Sequence, residues 1–187
     1  MHAEIVISGS GGQGVLVIGR LLAEAGFFEG KHVVWSPSYS AEKRGGIVSC
    51  SVTISDETIG SLFSSHPTIG IAMNLTAAKN LEQIIQIGGI LAVNQIENEY
   101  DSIRTDIKYI LVPANLLAME LGTESAANII ILGALLGVNQ VISISTVVKV
   151  IEQLFGSNAK AIEMNKQALF RGSKRYELKS AEVKLES

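Results

Sequence analysis

Four glycines fall within six positions at Gly9-Ser10-Gly11-Gly12-Gln13-Gly14, directly after the apolar run Ile5-Val6-Ile7-Ser8. Glycine admits positive φ and lets a foreign group come close to the main chain. An apolar-periodic segment starts at once with Val15, so the loop opens a helix. A helix start offers unpaired N–H groups and a positive dipole end to an anion. Gly9, Gly11, Gly12 and Gly14 therefore read as a cradle for a phosphate or carboxylate, with Gln13 able to donate a side-chain amide to the same group. Tight strand-to-helix packing without a ligand, or contact with another subunit, would also call for these glycines.

The second candidate segment is Glu42-Lys43-Arg44-Gly45-Gly46. A guanidinium suits bidentate recognition of phosphate or carboxylate. Gly45 and Gly46 beside Arg44 would let a ligand or a partner backbone approach closely. A structural ion pair, to Glu42 or to another chain, is the competing reading of Arg44.

Gly9-x-Gly11-x-x-Gly14 also matches the dinucleotide fingerprint literally. That fingerprint asks for an acidic residue at the end of the second strand, and Trp35-Ser36 stand there instead. A stand-alone, Rossmann-like nucleotide-binding protein is the alternative that these glycines keep open. Ser8 and Ser10 do not form a Gly-x-Ser-x-Gly elbow, so a hydrolase has little support. His2, His32 and His66 lack companions at metal-ligand spacing. Asn128, inside an apolar helix, needs a hydrogen-bond partner and reads as structural.

The elements that must hold these residues follow from periodicity. Residues 4–8 form a strand, 14–28 a helix ended by Gly30, and 32–35 a second strand closed by Ser36-Pro37-Ser38. This β-α-β unit implies a parallel pair of strands. Residues 47–54 alternate, with Val48, Cys50, Val52 and Ile54 on one face. An alternating strand with no helix before it predicts a mixed sheet. Further strands fall at 69–73, 90–94 and 109–112, with a helix from the Thr76 cap to about 87. Helices are expected at 115–121, 125–137, 145–155 and 159–170. The 125–137 helix is apolar nearly all round and so buried. Residues 172–187 read as a charged tail behind a domain of residues 1–171.

At 187 residues, 47% hydrophobic and 18% charged, the chain can bury a full core, and its balance fits either a doubly covered α/β sheet or a subunit with apolar surface reserved for partners. A net charge of −3 and the lack of a basic stripe argue against nucleic acid. Cys50 is the sole cysteine, so the chain has no disulfide and no ligand set for an iron–sulfur cluster. It reads as a buried core residue. Residues 126–138 are too few to span a bilayer and the start lacks signal-peptide features, which predicts a cytoplasmic protein.

In order and spacing, Gly9-Ser10-Gly11-Gly12-Gln13-Gly14-Val15, Pro37-Ser38-Tyr39, Glu42-Lys43-Arg44-Gly45-Gly46, Ile54-Ser55-Asp56 and Ile71-Ala72-Met73-Asn74 combine with Ala126-Ala127-Asn128 and Leu132-Gly133-Ala134-Leu135. Together they resemble the gamma subunit of 2-oxoacid:ferredoxin oxidoreductases, most closely the 2-oxoglutarate or ketoisovalerate type. The likeness covers about residues 4–170. Lys43 departs from it, since the family often has Met or Val before Arg-Gly-Gly.

The resemblance implies a three-layer α/β/α sandwich with a mixed sheet. It implies a complex that converts a 2-oxoacid to an acyl-CoA and reduces ferredoxin, with thiamine diphosphate and iron–sulfur clusters on partner alpha, beta and ferredoxin-like subunits. This chain would bind none of those groups alone, would help assembly, and could meet coenzyme A at the glycine loop and Arg44. Isolated from its partners, it is expected to self-associate.

Overall fold

The computed structural model describes residues 1–39, 46–60, 65–95 and 104–183, the side chains of 39 and 175–183 excepted. Among the described residues, thirteen elements follow one another. β1 (His2–Ser10) leads into α1 (Val15–Phe28), followed by β2 (His32–Tyr39), β3 (Ile47–Ser55) and β4 (Ile69–Ala72). α2 (Leu75–Ile84), β5 (Ile90–Asn94), β6 (Lys108–Val112) and α3 (Ala114–Glu120) continue the α/β alternation. A 3₁₀ turn at Glu124–Ala126, α4 (Ala127–Val138), α5 (Ile144–Phe155) and α6 (Ala159–Val183) end the described chain.

The six strands make one mixed sheet in the order β2-β3-β1-β4-β5-β6. β1, β4, β5 and β6 are parallel neighbours, and β3 runs antiparallel to both β1 and β2. Alternation divides each strand between two cores. Ala3, Ile5 and Ile7 of β1 join the larger core with α1, α3, α4, α5 and α6. Val6 joins a smaller core beneath α2. Helices on both faces of a mixed sheet give the expected three layers.

Several local expectations change. The 4–35 unit does not form an adjacent parallel pair: β1 and β2 run the same way, but β3 lies between them. β2 also continues through Ser36-Pro37-Ser38 instead of closing there. Pro37 lacks a ladder donor, and β2 is an edge strand with one side unpaired, which tolerates it. The cap of α2 is Asn74, not Thr76. Asn74 is extended, at φ −157° and ψ 170°, and its Oδ1 accepts from Ala77 N at 2.9 Å.

The last helix does not stop near Phe170; α6 runs to Val183. Its path is set by α4, which is buried along nearly its whole length. A Cβ on Gly133 would stand 2.1 Å from Leu169 O, and one on Gly172 would stand 2.0 Å from Ile130 O. The two helices therefore meet backbone to backbone, and glycine is the only residue that permits the approach. Cys50 is buried on the α1 side of β3, as its alternation required. Burial pushes its thiol up to about 11, so it is inert as a nucleophile at neutral pH.

Candidate functional site

The carboxyl ends of β1, β4, β5 and β6 lie along one edge of the sheet, where ligands gather in open α/β folds. Each exit carries a side-chain amide: Gln13 in the loop after β1, Asn74 after β4, Asn94 at the end of β5, and Asn115 after β6. These amides bond one another. Gln13 Oε1 accepts from Ser10 N at 2.7 Å and from Asn74 Nδ2 at 2.9 Å, while Gln13 Nε2 donates to Met73 O at 3.2 Å. Asn74 Nδ2 also reaches Ser10 Oγ at 3.1 Å. Asn94 Nδ2 donates to Met73 O at 3.3 Å and to Asn115 Oδ1 at 3.1 Å. Half-buried amides satisfied in a chain hold four strand exits in fixed relation.

The glycines split into two kinds. A Cβ on Gly9 would stand 2.8 Å from both Gln13 Oε1 and Met73 Cβ. Gly14, at φ 74°, would place its Cβ 2.2 Å from Asn128 Nδ2. Those two serve packing. Asn128 donates to Gly14 O at 3.4 Å and its Oδ1 accepts from Ile129 N at 3.0 Å, which ties α4 to the loop. Gly11 and Gly12 differ: a Cβ on either would meet nothing within 4 Å. Gly12, at φ 87°, needs glycine for its backbone, and both leave open space beside the chain. Gly14 caps α1, and among the described residues no side chain makes a capping hydrogen bond to the first turn there.

A cavity of about 690 Å³ opens between this turn and the starts of α3 and α4. Gly12, Gln13, Gly14, Val17, Met73, Asn115, Met119, Glu124, Ser125, Ala127 and Asn128 line it. Its size falls in the range of small-molecule sites, about 300–1,000 Å³. Glu124 is the only ionisable side chain among these residues.

Of the residues expected from sequence, the fold brings Gly9, Gly11, Gly12, Gln13 and Gly14 to this edge. Gly46 stands directly before Ile47, the register partner of Ser10, so the end of the second segment reaches the same edge. Arg44 and Gly45 lie outside the described residues. Gln13, expected to donate outward, has its oxygen engaged by Ser10 N and Asn74 Nδ2 and one amide proton engaged by Met73 O.

Sequence reasoning missed Asn94, Asn115, Met119 and Glu124 as site residues. The available signal was an asparagine at or just after each apolar strand: Met73-Asn74, Val93-Asn94 and Ala114-Asn115. Among the described residues, no cluster of three or more His, Cys, Asp or Glu could hold a metal ion. No helix among them is long and apolar enough to cross a membrane.

Residues 4–175 match the model of the pyruvate ferredoxin/flavodoxin oxidoreductase family. A ketoisovalerate oxidoreductase subunit VorA of Methanothermobacter thermautotrophicus is 32% identical over 173 residues, 92% of this chain and 36% of that protein. The chain thus spans about a third of the length of that relative. A 2-oxoglutarate synthase subunit KorC of Methanothermobacter marburgensis is 32% identical over 186 residues, 93% of this chain and 100% of that protein.

Among solved structures, the gamma subunit of a keto/oxoacid ferredoxin oxidoreductase from Geobacter sulfurreducens superposes with a TM-score of 0.79 at 27% identity, over 93% of this chain and 98% of that one. A 2-oxoglutarate:ferredoxin oxidoreductase from Magnetococcus marinus, solved with 2-oxoglutarate, coenzyme A and succinyl-CoA bound, shares the fold. Its TM-score is 0.86 at 23% identity, over 95% of this chain and 31% of that one.

Proposed function

The chain belongs to the pyruvate ferredoxin/flavodoxin oxidoreductase family, and from that premise we propose that it is the gamma subunit of a 2-oxoacid:ferredoxin oxidoreductase. The observation that supports this reading is the likeness to a whole subunit: the 2-oxoglutarate synthase subunit KorC aligns over 100% of itself and 93% of this chain at 32% identity. The substrate would be 2-oxoglutarate or a branched-chain 2-oxoacid, converted in the cytoplasm to an acyl-CoA with reduction of ferredoxin. Alpha, beta and ferredoxin-like subunits would complete the complex. Thiamine diphosphate and iron–sulfur clusters on those partners would supply decarboxylation and electron transfer.

This subunit's part would be to hold the alpha subunit and to bind coenzyme A. The open space at Gly11 and Gly12, beside the uncapped first turn of α1, supports an anion there. Phosphates of coenzyme A are such anions. Arg44, two residues before Gly46 in the chain, is proposed as their charged partner. Gly9, Gln13 and Gly14 would position the turn, and Gly45 with Gly46 would leave room for the ligand to enter.

The test is to purify the tagged chain anaerobically from its native cells and identify what comes with it by mass spectrometry. Thiamine-binding and ferredoxin-like partners should co-purify. The preparation should reduce a viologen dye only when a 2-oxoacid and coenzyme A are both present. A chain recovered alone and inactive would overturn the proposal and favour a stand-alone nucleotide-binding protein.

A further inference from the structure

We infer that β2 is a self-pairing edge: two copies of this chain join antiparallel along it, centred on Val34, and double the six-stranded sheet. The free main chain of β2, the aromatic side chains beside it and the area they offer all fit a second copy.

Hydrogen-bond parity identifies the free groups. Asp56 N donates to Met1 O at 2.9 Å just beyond the β1–β3 ladder, so even-numbered residues of β3 bond β1 and odd-numbered ones bond β2. In register, the odd ones stand opposite His32, Val34, Ser36 and Ser38. The N–H and C=O groups of Val33 and Trp35 therefore face away from the sheet, on the side where Pro37 lacks its donor. Among the described residues no strand pairs with them.

A two-fold axis at Val34 sets Val33 opposite Trp35 of the second copy, and Trp35 opposite its Val33. Each of these residues then exchanges both ladder bonds. Centring on Trp35 would instead spend Val33 on Pro37, which cannot donate. The other edge of the sheet is guarded: β6 is five residues long, begins at Lys108 and follows the Arg104–Asp106 ion pair. β2 has eight residues without an acid, a lysine or an arginine.

Val33 and Trp35 turn their side chains towards α1. A Cβ on Gly26 would stand 2.8 Å from Val33 Cγ2, and one on Gly19 2.8 Å from Trp35 Nε1. Beside them an apolar groove of about 430 Å³ runs between β2 and the last turns of α1, walled by Phe27 and Phe28. Phe27 is 77% exposed, Phe28 50% and Trp35 38%. Across the axis these aromatics fill the gap between the two α1 helices. With aromatic side chains of about 150–250 Å² each, they offer about 300 Å² per copy. Covering the strand edge adds about 200 Å² per copy. The dimer buries about 1,000 Å² in all, the lower bound for specific association, which fits a reversible pair.

The experiment is sedimentation velocity of the full chain at rising concentration. A monomer–dimer equilibrium with a Kd of about 10 µM is expected from an interface of that size. Val34→Lys sets like charges directly opposite each other and should weaken the dimer at least about tenfold. Val34→Glu should do the same, and mixing the two variants should restore the dimer to within about threefold of native. Misfolded chains would not give that rescue. Phe27→Asp, at an exposed position that folding does not need, should independently weaken the dimer about tenfold. Val34→Cys should cross-link to a covalent dimer under mild oxidation, because a non-hydrogen-bonded pair sets its Cα atoms about 4.5 Å apart, within disulfide reach. Ser36→Cys should not cross-link, and Cys50 is buried and does not compete. A chain that stays monomeric to about 200 µM overturns the proposal. If Phe27→Asp then also releases that monomer from its purified complex, the edge belongs to a segment of another subunit. A dimer unchanged in Phe27→Asp and without the Val34→Cys link overturns it too, since the copies then meet on another face.

Discussion

Two regions of this molecule are rich in glycine for opposite reasons. Along the α4–α6 seam, glycine removes a side chain so that protein can touch protein: a Cβ on Gly133 or Gly172 would stand about 2 Å from a facing carbonyl oxygen. At the sheet edge, Gly11 and Gly12 remove side chains where there is nothing to touch. The seam is apolar and closed, with Ile130, Ala134 and Leu169 fully buried. The edge is amide-lined and open to a cavity of about 690 Å³. Space filled by protein is a stability device; space left open beside a helix start is where binding is proposed. Gly9 and Gly14 stand between the two, in the loop but packed.

The contrast is sharpest under substitution. Gly172→Ala should destabilise most, by about 3 kcal/mol, because the new methyl meets backbone that cannot rotate away. Urea unfolding would read it, and a loss under about 1 kcal/mol would mean the helices slide apart at little cost. Gly14→Ala comes next, at about 2 kcal/mol, from its positive φ and from displacing Asn128. Its clash is with a side chain that can move, hence the smaller figure.

Gln13→Ala removes three hydrogen bonds from the loop and should cost about 1–2 kcal/mol. It should also raise the KM for coenzyme A in the assembled complex, and Gln13→Glu should restore only part of it. A carboxylate still accepts from Ser10 N and Asn74 Nδ2 but cannot donate to Met73 O. Gly11→Ala should hardly change stability, staying within about 0.5 kcal/mol, since its φ is not in the left-handed region and its Cβ meets nothing. Coenzyme A affinity should nevertheless fall. Unchanged affinity would remove Gly11 from the binding device and leave the comparison resting on Gly12.

The smallest effect is a pH dependence in the closed half. Glu29 Oε1 accepts from Ser143 N at 2.9 Å at the start of α5. Burial pushes its carboxyl up, but hydrogen bonds from Ser143 and Thr146 and the Lys31 charge outweigh it and hold the group below its ordinary value of 4.5. A carboxylate depressed on folding stabilises above the unfolded pKa, and that stability is lost as pH falls through the folded one. The stability gap between the native chain and Glu29→Gln should be full at neutral pH and narrow below 4.5. A gap independent of pH would show that the contact acts through shape alone.

Much of the fold was legible in the residues. Alternation in 47–54 announced β3, the apolar 126–138 segment announced a buried α4, and the glycine loop announced a strand-to-helix turn. The misread boundaries share a cause. Pro37 stopped β2 on paper because proline cannot donate, yet an edge strand does not need that donor. Phe170 ended the last helix because the sequence turns charged there, yet the α4–α6 contact at Gly172 comes after it.

By itself the sequence determined the element types, the mixed sheet and the family, because those depend on local periodicity and on motifs whose members lie close in the chain. Tertiary structure alone decided that β3 separates β1 from β2, which glycines are filled and which are open, and that Gln13 bonds Asn74 from 61 residues away and shares the Met73 carbonyl with Asn94. Those facts are distances between segments remote in sequence. Only the packing of the sheet and its helices sets them.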